Sequence, residues 1–103
     1  MIFARVTGSV VCTQKDEKLV GSKLLLLQPV DLAGAAKGTP LVAVDSVGAG
    51  EGELVLVVQG SSARQTSRTE GRPVDAVIFA IVDNVEQNGK HVFSKSQETA
   101  DRS

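Results

Sequence analysis

The apolar residues of this chain come in short runs, and almost every run is closed off by glycine or proline. Leu24–Leu27 is bracketed by Gly21 and Pro29, Leu41–Val44 by Pro40 and Gly48, and Leu54–Val58 by Gly52 and Gly60. The four leucines could line one face of a helix, but the brackets leave too little room for one. The Val-rich runs beside them read as strands. Five strands are expected: 2–13, 23–30, 41–45, 54–58 and 74–83, with Gly8 marking a bulge or bend in the first. Asn88-Gly89 is a strong turn dipeptide and predicts a short hairpin between Val85-Glu86 and His91-Val92-Phe93.

Many short strands without an amphipathic helix imply an all-β fold, a small closed or partly closed barrel. At 103 residues there is material for one domain, assigned here to residues 1–93, with 94–103 as a polar, flexible tail. Closure removes the strand edges that such sequences would otherwise expose. Leu54–Val58 shows no polar alternation and should be buried on both faces. One barrel interior cannot cover both faces of every strand in so small a chain. Some apolar surface should therefore meet another subunit.

Composition removes several function classes. Formal net charge is -1, which gives no pull towards nucleic acid or anionic lipid. The longest unbroken apolar stretch, 76–82, is far short of the roughly 20 residues of a membrane helix. The chain begins without the basic and apolar segments of a secretory signal, and its lone Cys12 cannot form an internal disulfide. Both point to a cytoplasmic protein. With three Phe and no Tyr or Trp, the rings used for base stacking, sugar platforms and cofactor pockets are scarce.

The candidate sites are few. Gly48-Ala49-Gly50-Glu51-Gly52 invites a phosphate-loop reading, but a strand follows it where a dinucleotide site needs a helix N-terminus. It reads instead as a structural turn, with Asp45 placed to cap its amides. Cys12 and His91 could form a nucleophile pair, yet no third group orients them, and Cys12 beside Val10-Val11 reads as a small buried strand residue. One Cys and one His do not make a metal site. The scattered carboxylates, including Asp16, Glu17, Asp31, Asp75 and Asp83, read as solvated turn residues. Arg64, Arg68 and Arg72 stand in a Ser/Thr-rich stretch from Gly60 to Pro73; anion contact, an intersubunit ion pair and an ordinary loop are all open to them. No catalytic residue, metal or cofactor is expected.

Five segments then carry a resemblance. Gly8-Ser9-Val10-Val11-Cys12-Thr13, Gly21-Ser22-Lys23-Leu24-Leu25-Leu26-Leu27-Gln28, Asp45-Ser46-Val47-Gly48-Ala49-Gly50, Gly60-Ser61-Ser62-Ala63-Arg64 and Pro73-Val74-Asp75-Ala76-Val77-Ile78 occur in that order. Together, over roughly residues 1 to 85, they resemble the bacterial microcompartment vertex family, typified by carboxysome and ethanolamine-utilisation shell proteins. The resemblance implies a five-stranded barrel related to the oligonucleotide-binding fold, assembled as a homopentamer. Such pentamers cap the fivefold vertices of a polyhedral shell tiled by hexameric shell proteins, with no nucleic acid or membrane as partner. It further places Gly48, Ala49 and Gly50, and Gly60, Ser61, Ser62, Ala63 and Arg64, at the subunit interface or axial opening, with Arg64 the best candidate for a cross-subunit bond. Residues 31–39 and 65–72 fall where related chains vary, so no role carries over to them.

Two rival readings stand beside this one. A barrel of this kind could bind single-stranded nucleic acid or a small anion, which calls for a basic groove interleaved with aromatic rings. An enzyme using Cys12 and His91 is the other.

Overall fold

The structure is a computed structural model that describes residues 1–13, 17, 21–60 and 75–95. Its elements are seven strands: β1 (Ile2–Val10), β2 (Leu24–Pro29), β3 (Leu41–Asp45), β4 (Leu54–Gln59), β5 (Ala76–Ile81), β6 (Asn84–Gln87) and β7 (Lys90–Ser94). The first five close into a barrel in the order β1-β2-β3-β5-β4, and β6 and β7 form a separate hairpin. The all-β barrel and the C-terminal hairpin are as the sequence implies.

Alternation places the small and branched side chains inside. Ala4 and Val6 of β1, Leu25 and Leu27 of β2, Ala43 of β3, Val55 and Val57 of β4, and Ala76 and Ile78 of β5 form one buried core, joined by Ala49. Two irregularities allow these five strands to bend into a tube. Val6 pairs with Leu27 and Gly8 with Leu26, so β1 carries one extra residue, and β4 slips between Leu56 and Val57. Bulges of this kind increase local twist and bend the strand. The first agrees with the interruption that Gly8 signals in the sequence.

Every neighbouring pair in the barrel is antiparallel except the closing one, where β3 and β5 run parallel through Val44↔Val77 and Asp45↔Ile78. The chain makes that parallel contact possible by crossing over through β4.

The hairpin covers part of the barrel's outside. Asn88 and Gly89 both take positive φ, at 54° and 75°, between the paired residues Gln87 and Lys90. Positive φ at both central positions is the signature of the type I′ turn that Asn-Gly favours. Val85 and Phe93 of the hairpin pack with Phe3, Val30, Leu54, Leu56 and Val82. This is how Leu54 and Val55 are both buried although they face opposite ways. The chain thus supplies some of the cover that the sequence suggested only another subunit could give. A second outer cluster, Val44 and Val77 with Leu24, Val58 and Phe79, sits elsewhere on the barrel. Leu26 and Val42 pair across β2 and β3 and remain 37% and 44% exposed.

Several boundaries differ from expectation. β1 ends at Val10, not Thr13, so Val11 is 89% exposed and Cys12 is an exposed free thiol, not a buried strand residue. β2 and β5 are each shorter at both ends than the expected strands 23–30 and 74–83. Order also reaches past residue 93: Ser94 belongs to β7, and the Lys95 amide donates to the Asp83 carbonyl at 2.9 Å.

Leu27 has no exposed surface, whereas Val11 hangs outside β1. In urea denaturation, Leu27→Ala should lower stability by about 2–5 kcal/mol and Val11→Ala by no more than about 0.5 kcal/mol.

Candidate functional site: the stapled glycine loop

Between β3 and β4 the chain turns through Ser46–Glu53 at one end of the barrel, and charged side chains hold this loop from several sides. Asp45, at the end of β3, has a side chain only 2% exposed. Its Oδ1 accepts the Val47 amide at 3.0 Å and the Gly48 amide at 3.1 Å. This is the cap that its position beside the glycines predicts. Gly48 takes a φ of 78°, a conformation cheap for glycine and strained for any residue with a Cβ. Lys23, just ahead of β2, donates from Nζ to the Ala49 carbonyl at 3.0 Å and lies 3.8 Å from Asp45 Oδ2. A buried carboxylate needs such company, since an unpaired one is costly.

The second half of the loop is held as firmly. Glu53 Oε1 accepts the Gly50 amide at 2.6 Å, and Oε2 accepts from Lys95 Nζ at 2.6 Å. Arg5 Nη1 donates to the Gly52 carbonyl at 3.0 Å while its guanidinium lies 5.7 Å from the centre of the Phe93 ring. The Gly52 amide donates to the Val6 carbonyl, and the Ser46 hydroxyl donates to the Ile78 carbonyl at 2.6 Å. Among the described residues no buried side-chain nitrogen or oxygen lacks a partner.

The bond from Lys95, then that from the Gly50 amide, holds the Glu53 carboxyl below the usual glutamate range, and the bond to Glu53 holds Lys95 above the usual lysine range. The sign follows from linkage. A depressed carboxyl contributes stability above its unfolded value and loses it as pH falls through the folded one; the raised lysine loses its share as pH rises through its own folded value.

The sequence-level candidates separate in space. Gly48, Ala49 and Gly50 precede β4 and Gly60 closes its other end, so Gly60 and the loop lie at opposite ends of that strand. Ala49 is fully buried in the barrel core, so its side chain is not presented outwards. Gly60 is exposed, and its amide donates to the Asp75 carbonyl at 2.8 Å. Ser61, Ser62, Ala63 and Arg64, with Arg68 and Arg72, lie outside the described residues. Lys23, Glu53 and Lys95 were not singled out by sequence reasoning. Only Glu53 carries a signal, a charge beside the glycine run; Lys23 and Lys95 reach the loop from far along the chain.

Cys12 and His91 are not brought together. His91 stands on the hairpin with Nε2 3.3 Å from Glu86 Oε1, both exposed, and Cys12 is exposed beyond β1. No group of three His, Cys, Asp or Glu among the described residues could hold a metal. At the opposite end of the barrel an open cleft of about 910 Å³ is lined largely by apolar residues such as Ile2, Leu32 and Leu41. Its one carboxylate, Asp31, is engaged in accepting the Ala33 and Ala35 amides. All three Phe are partly buried in apolar clusters, Phe3 and Phe93 where the hairpin meets the barrel and Phe79 beside Val44 and Val77.

Two measurements check the loop. Asp45→Ala removes the acceptor of two amides and should cost about 1–3 kcal/mol in denaturant unfolding, with Asp45→Asn recovering part of the loss. In a series of melts from neutral pH downwards, wild type and Glu53→Gln should converge in stability once pH falls below the ordinary glutamate range.

Comparison with known proteins places this architecture. A family model described as "Ethanolamine utilisation protein EutN/carboxysome" matches residues 1–83. The bacterial microcompartment shell vertex protein EutN of Salmonella typhimurium is 50% identical over 95 residues, covering 92% of this chain and 96% of its own. The carboxysome shell vertex protein CcmL of Gloeobacter violaceus is 46% identical over 98 residues, covering 95% and 98%. The solved structure of Gloeobacter violaceus CcmL superimposes with a TM-score of 0.88 at 47% identity, covering 93% of this chain and 99% of that one. That of the GrpN pentameric microcompartment shell protein from Rhodospirillum rubrum gives 0.77 at 44% identity, covering 84% and 99%. A barrel of this topology, matched along nearly its whole length by such relatives, belongs to the EutN/CcmL family.

Proposed function

We propose that this chain is a structural shell protein of a bacterial microcompartment, a vertex subunit that works as a ring of five copies and catalyses no reaction. The observation that carries the reading is the match to shell vertex proteins over more than nine-tenths of the chain. Relatives named for the carboxysome and for ethanolamine utilisation match at similar identity. What they have in common with this chain is the barrel and the vertex role. The protein accordingly belongs in the shell of the compartment.

Geometry supplies the rest. A flat hexagonal sheet closes into a polyhedron only where fivefold units replace sixfold ones, so the vertex subunit needs the right ring and the right rim and no active site. The ring's neighbours in that arrangement are hexameric shell proteins. A cyclic interface is heterologous: one patch of a subunit meets a different patch of the next. The placement of Gly60 at the opposite end of β4 from the Gly48–Gly50 loop suits such an interface, since adjacent copies could bring the two together where one copy does not. Six of the loop's amides, those of Ser46, Val47, Gly48, Gly50, Gly52 and Glu53, donate within their own chain, so the loop can be presented as a firm edge.

Native mass spectrometry at micromolar concentration tests this. A dominant fivefold mass is expected; a monomer would overturn the vertex reading. Gly50→Val, whose new side chain would crowd Glu53 Oε1 from a Cβ 3.4 Å away, and Arg64→Ala should each shift the population towards monomer or aggregate. Unchanged pentamers from both would remove these segments from the interface.

A further inference from the structure

Two side chains of the barrel each touch the glycine loop at one end and the C-terminal hairpin at the other. Glu53 takes the Gly50 amide on Oε1 and Lys95 on Oε2. Arg5 donates to the Gly52 carbonyl and lies over the ring of Phe93. Lys95 and Phe93 belong to the hairpin end, while Gly50 and Gly52 are loop residues. The other bonds to the loop involve Asp45, Lys23, Val6 and Ile78, and the Glu53 amide donates to the Gly50 carbonyl at 3.2 Å. The Gly50 amide itself is held by the Glu53 side chain.

We infer that the β6–β7 hairpin is a strap that sets the conformation of the Gly50–Gly52 part of the loop, acting through Glu53 and Arg5. Both intermediaries are long side chains that lose rotamer freedom on ordering. A docked hairpin has already confined them: Lys95 fixes one carboxylate oxygen, and the Phe93 ring confines the guanidinium. The bonds to Gly50 and Gly52 then form from groups that are in place. Lift the hairpin and each of these two side chains loses a contact that orders it. The strap is a distinct two-stranded sheet whose Val85 and Phe93 pack on the outer wall of the barrel and whose open end is closed by the Lys95 amide on the Asp83 carbonyl. Anything that engages the hairpin from outside is thereby felt at the loop. This device is a property of the single subunit and stands whether or not five copies form a ring.

Hydrogen exchange resolved by residue, on the full chain, tests the coupling, with native mass spectrometry confirming the same assembly state for each variant. Lys95→Met should raise exchange of the Gly50 amide at least about tenfold, together with that of hairpin amides such as Phe93, while Leu25 and Ala43 in the barrel stay protected. Loosening of the hairpin with Gly50 unchanged would overturn the strap, and so would an equal rise at Gly50 and Leu25, which would mean general destabilisation. The double variant Glu53→Lys with Lys95→Glu separates the two links. It restores the ion pair but puts no acceptor beside Gly50, so hairpin protection should return while Gly50 stays fast; recovery at both would show that Glu53 does not transmit the effect. Phe93→Leu keeps an apolar anchor without the ring and should leave the Glu53 carboxylate link intact but speed exchange of the Glu53 amide, whose peptide unit carries the Gly52 carbonyl that Arg5 holds; no change there would remove Arg5 from the device.

Discussion

The parallel contact between β3 and β5 is the constraint from which the rest of the molecule follows. It consists of two residue pairs, Val44↔Val77 and Asp45↔Ile78, and it is what turns a twisted sheet into a closed barrel. Because parallel neighbours need a crossover, the chain must leave β3, traverse β4 and return before it can pair there. The turn out of β3 is therefore both the seam of the barrel and the start of the glycine loop. Asp45 serves both: its backbone sits in the last parallel pair and its carboxylate seats Val47 and Gly48. Ser46 ties the same point to Ile78 through its hydroxyl.

That arrangement explains why charge, scarce in the core, concentrates around this loop. A turn with three glycines in five residues has little side-chain substance with which to order itself. Asp45, Lys23, Glu53 and Arg5 provide the order instead, each through a bond to backbone. Charge-assisted bonds of this type are stronger than neutral ones, and the partial burial of Asp45 and Glu53 limits screening by water. The consequence is a stiff loop. In the interface proposed above, a loop whose shape is settled before assembly loses less conformational freedom on contact.

Small barrels of this kind also have a surface problem, and the chain answers it unevenly. The hairpin hides Phe3, Leu54 and Leu56 on one side. Leu26 and Val42 are left partly exposed on another. An apolar pair open to solvent on a barrel whose relatives include pentameric shell proteins accords with a protein that is not complete as one copy.

The strands, the Gly8 bulge, the Asn88-Gly89 hairpin and the Asp45 cap were legible in the sequence because each depends on residues near one another: runs of branched side chains, a turn dipeptide, a carboxylate beside a glycine run. The resemblance carried by five separated segments gave the barrel its family. What the chain order could not reveal is who meets whom across the fold. Lys95 is 42 residues from Glu53, and Arg5 is 47 from Gly52; closure of the barrel and docking of the hairpin bring these pairs together. For the same reason the exposure of Cys12, the burial of Ala49 and the separation of Gly60 from Gly48 were decided by tertiary structure. Local composition determines where strands begin and turn, since those depend on backbone preference and hydrophobic period. Which charge holds which amide depends on the register of strands far apart in sequence, and that is settled only when the barrel closes.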